Sequence, residues 1–178
     1  MIVGVISDTH DRLDGLQKAI AIFKDKQVEM MIHCGDWVSP FTYQYFDNEC
    51  HRIGLKVPVY SVIGNNPGDL KRVIEENSLR NNPILFAKRE VNELELNQRK
   101  GVIYHGTDKI ILNSLINSGQ YDVVFTGHTH AVRNEVVGKT LVLNPGAVNY
   151  ACEGKIIATA TVALYDSESN TAEIVFLD

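Results

Sequence analysis

Cysteine, positive charge and long apolar runs are all scarce in this chain, and each scarcity removes a class of function. There are three cysteines, Cys34, Cys50 and Cys152. An odd number leaves one unpaired under any disulfide scheme, and the spacing matches no metal-binding pattern. A disulfide-stapled scaffold is therefore excluded, and a reducing compartment is expected. Lys and Arg number 17 against 22 Asp and Glu, a formal charge of -5. No general nucleic-acid-binding surface is expected from that balance. No stretch approaches the roughly 20 apolar residues of a membrane span. The run from Ile2 to Ile6 is too short for a signal-peptide core and stops at Asp8. These absences together predict a cytoplasmic protein with no membrane partner. Linkers, repeats and low-complexity tracts are also missing. The 178 residues, 44% of them hydrophobic, suit one packed domain over residues 1–178 rather than two.

What is present reads first as βα units. Ile2-Val3-Gly4-Val5-Ile6 is short, continuous and β-branched, the pattern of a buried strand. A helix follows from about Leu13 to Lys24, with Leu16, Ala19, Ile20 and Phe23 on one stripe. Met30 to Ile32 is the second strand. The helix after Pro40 is expected to turn Phe41, Tyr45 and Phe46 inward. Val57 to Ile63 is the third strand, where Pro58 marks a strand start or an edge. A weaker helix covers Leu70 to Asn77. Then the pattern changes. Val91 to Leu96 and Val102 to Tyr104 read as a hairpin with its turn at Arg99-Lys100-Gly101. Ile110 to Ile116 is helical, with Gly119 as a stop. Val123 to Phe125 is a strand. Only strands follow: Asn134–Val137, Leu141–Leu143, Thr159–Tyr165 and Glu173–Leu177. The economical arrangement is a single α/β domain with two sheets and the helices outside.

Chemistry-bearing residues collect where apolar runs stop. Asp8 and His10 follow the first strand, Asp36 the second, Asn65 the third. His105 follows Tyr104, and His128 and His130 follow Phe125. Four of the six histidines thus lie at strand ends, where α/β proteins build their sites. In extended backbone, residues i and i+2 point to one side. Asp8 with His10, and His128 with His130, would then each grip one ion. His33 and His51 read instead as core or surface residues, and Asp11 and Asp14 as cap or turn residues near the first helix. The set offers ligands for two divalent ions. Without cysteine among them, thiolate chemistry is excluded. Mixed carboxylate, imidazole and amide ligation suits Mn, Fe, Ni, Co or Zn better than Mg or Ca.

The ordered motifs Asp8-Thr9-His10, Gly35-Asp36, Gly64-Asn65, His105-Gly106 and Gly127-His128-Thr129-His130 resemble those of the calcineurin-like metallophosphoesterase superfamily. More narrowly, they resemble its small bacterial and archaeal phosphodiesterases of the YfcE type. The resemblance runs from Ser7 through Asn144-Pro145-Gly146. It implies a four-layer α-β-β-α sandwich with two mixed sheets. It also implies two divalent metals, Mn²⁺ first, with Ni²⁺, Zn²⁺, Fe²⁺ or Co²⁺ as alternatives. Asp8, His10 and His130 would hold one, Asn65, His105 and His128 the other, and Asp36 would bridge them. The implied reaction is hydrolysis of a small phosphodiester, a metal-bridging hydroxide attacking phosphorus in line. Asn65, His105 and Asp36 form the candidate catalytic set. Asn65, Asn66 and Arg12 are the candidate substrate contacts. The resemblance also leaves a homodimer open, since relatives of this kind often form one.

Two departures matter. Such proteins usually follow Gly-Asn with His, or place Asp one residue later, to help the leaving oxygen depart. Here Asn66-Pro67 stands at those places, with Asp69 beyond. Where relatives often read His-Gly-His, this chain reads His105-Gly106-Thr107, beside Asp108. The expectation is a phosphodiesterase selective for good leaving groups, unless Asp69 or Asp108 replaces the acid. Two alternatives stay open: a metal-binding scaffold on the same fold with weak or lost activity, and a phosphomonoesterase, for which Arg12 and Arg133 are the available cations. Trp37 reads as a core or interface residue, and Asn144-Pro145-Gly146-Ala147 as a turn near the site.

Overall fold

The computed structural model describes residues 1–80, 82–87, 90–149, 151–152, 155–156 and 159–177. The chain runs β1 (Ile2–Ile6), α1 (Leu13–Asp25), β2 (Met30–His33), α2 (Pro40–Arg52), β3 (Val59–Ser61), α3 (Leu70–Ser78) and β4 (Leu85–Phe86). It continues with β5 (Val91–Leu96), β6 (Arg99–Tyr104), α4 (Lys109–Asn117), β7 (Val123–Phe125), β8 (Arg133–Val137) and β9 (Thr140–Asn144). The last strands are β10 (Ala151–Cys152), β11 (Lys155–Ile156), β12 (Thr161–Asp166) and β13 (Thr171–Phe176).

One six-stranded sheet has the order β13-β12-β1-β2-β3-β4, and a five-stranded sheet the order β5-β6-β7-β9-β8. Both are mixed. In the first, β1, β2, β3 and β4 are parallel, while β12 and β13 add antiparallel. In the second, β6, β7 and β9 are parallel between antiparallel β5 and β8.

Strand alternation divides the apolar residues among three interfaces, as four layers require. Val3, Val5 and Ile32 of the first sheet meet Ile103, Phe125 and Leu143 of the second. Ile6 and Met31 face the other way, onto Leu16, Ile20, Phe23 and Phe46 of the first two helices. Val102, Val124 and Val142 face Ile116 of α4. Gly4 belongs to this packing. A Cβ there would stand 2.8 Å from the Phe23 ring, so its absence lets α1 lie close to β1.

Most expected elements are found, with shifts that have local causes. The Pro58 strand is internal rather than an edge, and its ladder starts after the proline. Pro58 cannot donate, but its carbonyl accepts from Met31 N at 2.9 Å. The β5–β6 turn is Asn97-Gln98, because Leu96 pairs with Arg99. Asn97 takes the left-handed conformation at φ 58°. Gly101, expected in the turn, sits mid-strand under Leu96 and Phe125. On α2 the buried stripe is Tyr43, Phe46 and Cys50, with Tyr45 only partly packed. Phe41 is 60% exposed and lies under the Arg72 guanidinium, 4.8 Å from the ring centroid. The two-residue strands β4, β10 and β11 are too short to leave a periodic signal. Cys34 and Cys50 are buried free thiols. The Cys152 side chain lies outside the described residues. Among the described residues no helix is long and apolar enough to cross a membrane.

The opposite environments of the two α2 phenylalanines are testable. Phe46→Ala is expected to cost about 3–5 kcal/mol of stability in urea unfolding. Phe41→Ala is expected to stay within about 0.5 kcal/mol. Equal losses would contradict the assigned face.

Candidate metal centre

Five strand ends from both sheets deliver the polar residues. The loops after β1, β2 and β3 carry Asp8, His10, Asp36 and Asn65. Those after β6 and β7 carry His105, His128 and His130. β1, β2 and β3 are parallel, as are β6 and β7, so each sheet gathers its carboxyl ends at one edge, and contacts such as His128 N to Asp8 and His105 to Asp36 bring the two edges together.

The local geometry is not the extended one that the i, i+2 spacing suggests. Asp8, His10, Asp36, His128 and His130 all have positive φ, between 40° and 67°. Strand alternation therefore does not explain their convergence. Left-handed non-glycine residues cost roughly 1–3 kcal/mol each and persist only where surroundings over-determine them. Here the loops are bonded to each other. Asp8 N donates to Gly35 O at 3.0 Å, His10 N to Asp36 O at 3.2 Å and Asp36 N to Ile63 O at 2.9 Å. On the other sheet Gly127 N donates to His105 O at 2.9 Å. The two sets join where His128 N donates to Asp8 Oδ2 at 3.0 Å.

The side chains form two touching groups. In one, His130 Nε2 lies 3.2 Å from Asp8 Oδ1 and 3.2 Å from His10 Nε2. In the other, Asn65 Oδ1 lies 2.9 Å from His105 Nε2 and 2.8 Å from His128 Nδ1. Asp36 stands between them, Oδ1 at 3.4 Å from His105 Nε2 and Oδ2 at 3.5 Å from His10 Nε2. Asp8, His10 and His130 meet the spacing of a cation site, as do Asp8, Asp36 and His105.

The electrostatics fit a cation. Asp8 is fully buried. Its Oδ2 accepts from Ser7 Oγ and His128 N. Its Oδ1 makes no regular hydrogen bond, and His10 Nε2 and His130 Nε2 face it at 3.7 and 3.2 Å. A buried carboxylate oxygen left that way is costly unless positive charge reaches it. Burial pushes the Asp8 carboxyl up, but His10 and His130 outweigh it and hold it well below the usual range. For Asp36, burial is likewise outweighed, by His105 and two Asn66 donors, and the pKa falls to about 2. His105 Nδ1 faces the Cys34 carbonyl at 2.7 Å and so donates to it. A neutral His105 then points an Nε2 lone pair at two oxygens, a position that calls for a proton or a metal ion. Burial opposes the charged ring, yet Asp36 and Asp8 raise its pKa. Burial and the neighbouring His105 lower that of His128.

All seven expected ligands are thus within one cluster. Asn66 is also there, donating from N and Nδ2 to Asp36 at 2.8 and 2.6 Å. Arg12 is half-buried, and its guanidinium is held by Asp14 at 2.8–2.9 Å. Arg133 pairs with Glu135 at 2.7 Å. Asp69 and Asp108 cap α3 and α4, accepting from Arg72 N and from Ile110 and Ile111 N. His33 is a buried core residue stacked on Trp37 at 3.7 Å, and His51 is exposed. Trp37 itself is buried and donates to Ser61 Oγ at 2.9 Å. Asp11 ties the α2 N-terminus down, accepting from Ser39 N at 2.9 Å and from Thr42 Oγ1. Sequence reasoning missed Ser7 as a support of Asp8. It also read Asn144 only as a turn residue. Its Nδ2 donates to Gly127 O at 2.8 Å and Thr129 Oγ1 at 3.1 Å, bracing the loop of His128 and His130. The adjacency of Asn144 to a turn at a sheet end was the available signal.

Comparison with known proteins identifies the family. Residues 1–170 match the calcineurin-like phosphoesterase superfamily domain. The chain is 37% identical to phosphodiesterase MJ0936 of Methanocaldococcus jannaschii, over the full length of both. A solved archaeal phosphodiesterase superposes with a TM-score of 0.83 at 35% identity, over 99% of each chain. The E. coli phosphoesterase YfcE shares the fold at 17% identity and a TM-score of 0.66, over 100% of both chains. Vps29 of Entamoeba histolytica, solved with zinc, shares it at 18% identity and a TM-score of 0.61, also over 100% of both. By sequence, fold and the convergence of its strand-end ligands, this chain belongs to the calcineurin-like phosphoesterase superfamily.

Proposed function

We propose that the chain hydrolyses small phosphodiesters with two divalent ions, Mn²⁺ first among them. Asp8, His10 and His130 would hold one ion and Asn65, His105 and His128 the other, with Asp36 shared. The observation that carries this reading is Asp8 Oδ1, buried, without a hydrogen-bond partner and facing two imidazoles. When bound, two such ions lower the pKa of a water and draw in phosphate oxygens.

The chain's own residues do the rest. The carboxylates of Asp8 and Asp36 supply the negative charge, and both stay ionised at neutral pH. The Cys34 carbonyl orients the His105 ring. Asn65 and Asn66 are exposed at the rim, where a phosphate would arrive. Diesters suit the site better than monoesters, because Arg12 and Arg133 already have acidic partners. Free thiols at Cys34 and Cys50 support a cytoplasmic setting. The name of the archaeal relative, a phosphodiesterase, supports the same substrate class.

Protonation of the leaving oxygen is the weak step. Asn66 is no acid, and Asp69 and Asp108 are occupied as helix caps. General acid catalysis is worth about 10²–10⁴-fold. Across diesters of graded leaving-group pKa, kcat/KM is therefore expected to fall steeply as that pKa rises. A flat dependence would reveal a proton donor and contradict this reading. Asp36→Ala is expected to lose paired Mn²⁺ uptake and to slow bis-nitrophenyl phosphate hydrolysis by more than about 10²-fold. Undiminished turnover in that variant would sink the shared-carboxylate role.

A further inference from the structure

The two ligand groups differ in charge. Asp8 gives the group of His10 and His130 a carboxylate of its own. Asn65, His105 and His128 contain none, so that group draws on Asp36, 3.4 Å from His105, and beyond it on the Asp8 that the other group also uses. How Asp36 is held therefore matters more to one side than to the other.

Asn66 holds it. A carboxylate offers about four lone-pair directions. The Asn66 backbone N–H takes one on Oδ1 at 2.8 Å, and its Nδ2 takes one on Oδ2 at 2.6 Å. Both bonds come from one residue, so they fix the plane of the carboxylate. With that plane fixed, Oδ1 faces His105 and Oδ2 faces His10, at 3.4 and 3.5 Å. The loop that presents Asn66 is itself locked. Gly64 and Gly68 are left-handed, at φ 89° and 55°. A Cβ on Gly64 would collide with Asp36, and one on Gly68 with the Val38 carbonyl. Val38 is also left-handed, at φ 75°, a costly state for a β-branched residue. A loop turned on two glycines is thus seated on a strained one, with Asn66 at their junction.

We propose that Asn66 is a positioning residue: it aims one Asp36 oxygen at each ligand group, and the group of Asn65, His105 and His128 depends on it most. This rests on the two-ion reading above.

The test is calorimetric titration of the full chain with Mn²⁺ alone, wild type against Asn66→Leu. Leucine keeps the branched shape of asparagine and removes the side-chain donor. The tighter Mn²⁺ site is expected to be unchanged and the weaker one to lose about 10–100-fold in affinity. Diester turnover by the variant is expected to recover as Mn²⁺ is raised. A general loosening of the fold would weaken both sites alike and would overturn the proposal. So would two unchanged affinities. If Asn66→Leu melts early, Asn66→Ala at the same exposed position reads the same quantity. A wild-type chain that takes up a single ion would overturn the two-ion reading itself, whatever the variant does.

Discussion

The carboxylate of Asp8 is the constraint to which the rest of the site answers. It is a charge with no exposure to solvent, and a buried charge survives only with compensation. One of its oxygens is satisfied by Ser7 and by the backbone of His128. The other is offered to His10 and His130. The contact to His128 N crosses from the first sheet to the second, so the same carboxylate also ties the two halves together. The left-handed backbone around it costs stability that packing elsewhere offsets, a common condition at functional sites.

The division of labour between the sheets follows from this. The loops of the first sheet bring both carboxylates, Asp8 and Asp36, together with His10 and Asn65. Those of the second bring only imidazoles: His105, His128 and His130. Neither sheet carries the whole cluster. The set exists because Val3, Val5 and Ile32 pack against Ile103, Phe125 and Leu143 and fix one layer on the other. Core packing between the sheets thereby holds the cluster together, and parallel strands gather the loops of each sheet at one end.

Much of this was legible in the residues. The buried run of β1, the stripe of Leu16, Ala19, Ile20 and Phe23 on α1, and polar residues at five strand ends all carry strong local signals. What was hidden depends on backbone state or on competition between neighbours. Spacing speaks for extended backbone at Asp8 and His10, whereas loop-to-loop hydrogen bonds impose positive φ. Aromatic residues crowd α2, so periodicity alone did not separate the exposed Phe41 from the buried Tyr43. Gly101 looked like a turn residue because sequence does not distinguish a glycine chosen for φ from one chosen for space. Asp69 and Asp108 looked like spare acids, yet each precedes a helix, and capping explains both.

The most direct measurement is anomalous diffraction from crystals soaked in Mn²⁺. Two peaks are expected about 3.5–4 Å apart, one against Asp8, His10 and His130, the other against Asn65, His105 and His128, with Asp36 between them. A single peak, or peaks away from these side chains, would contradict the account.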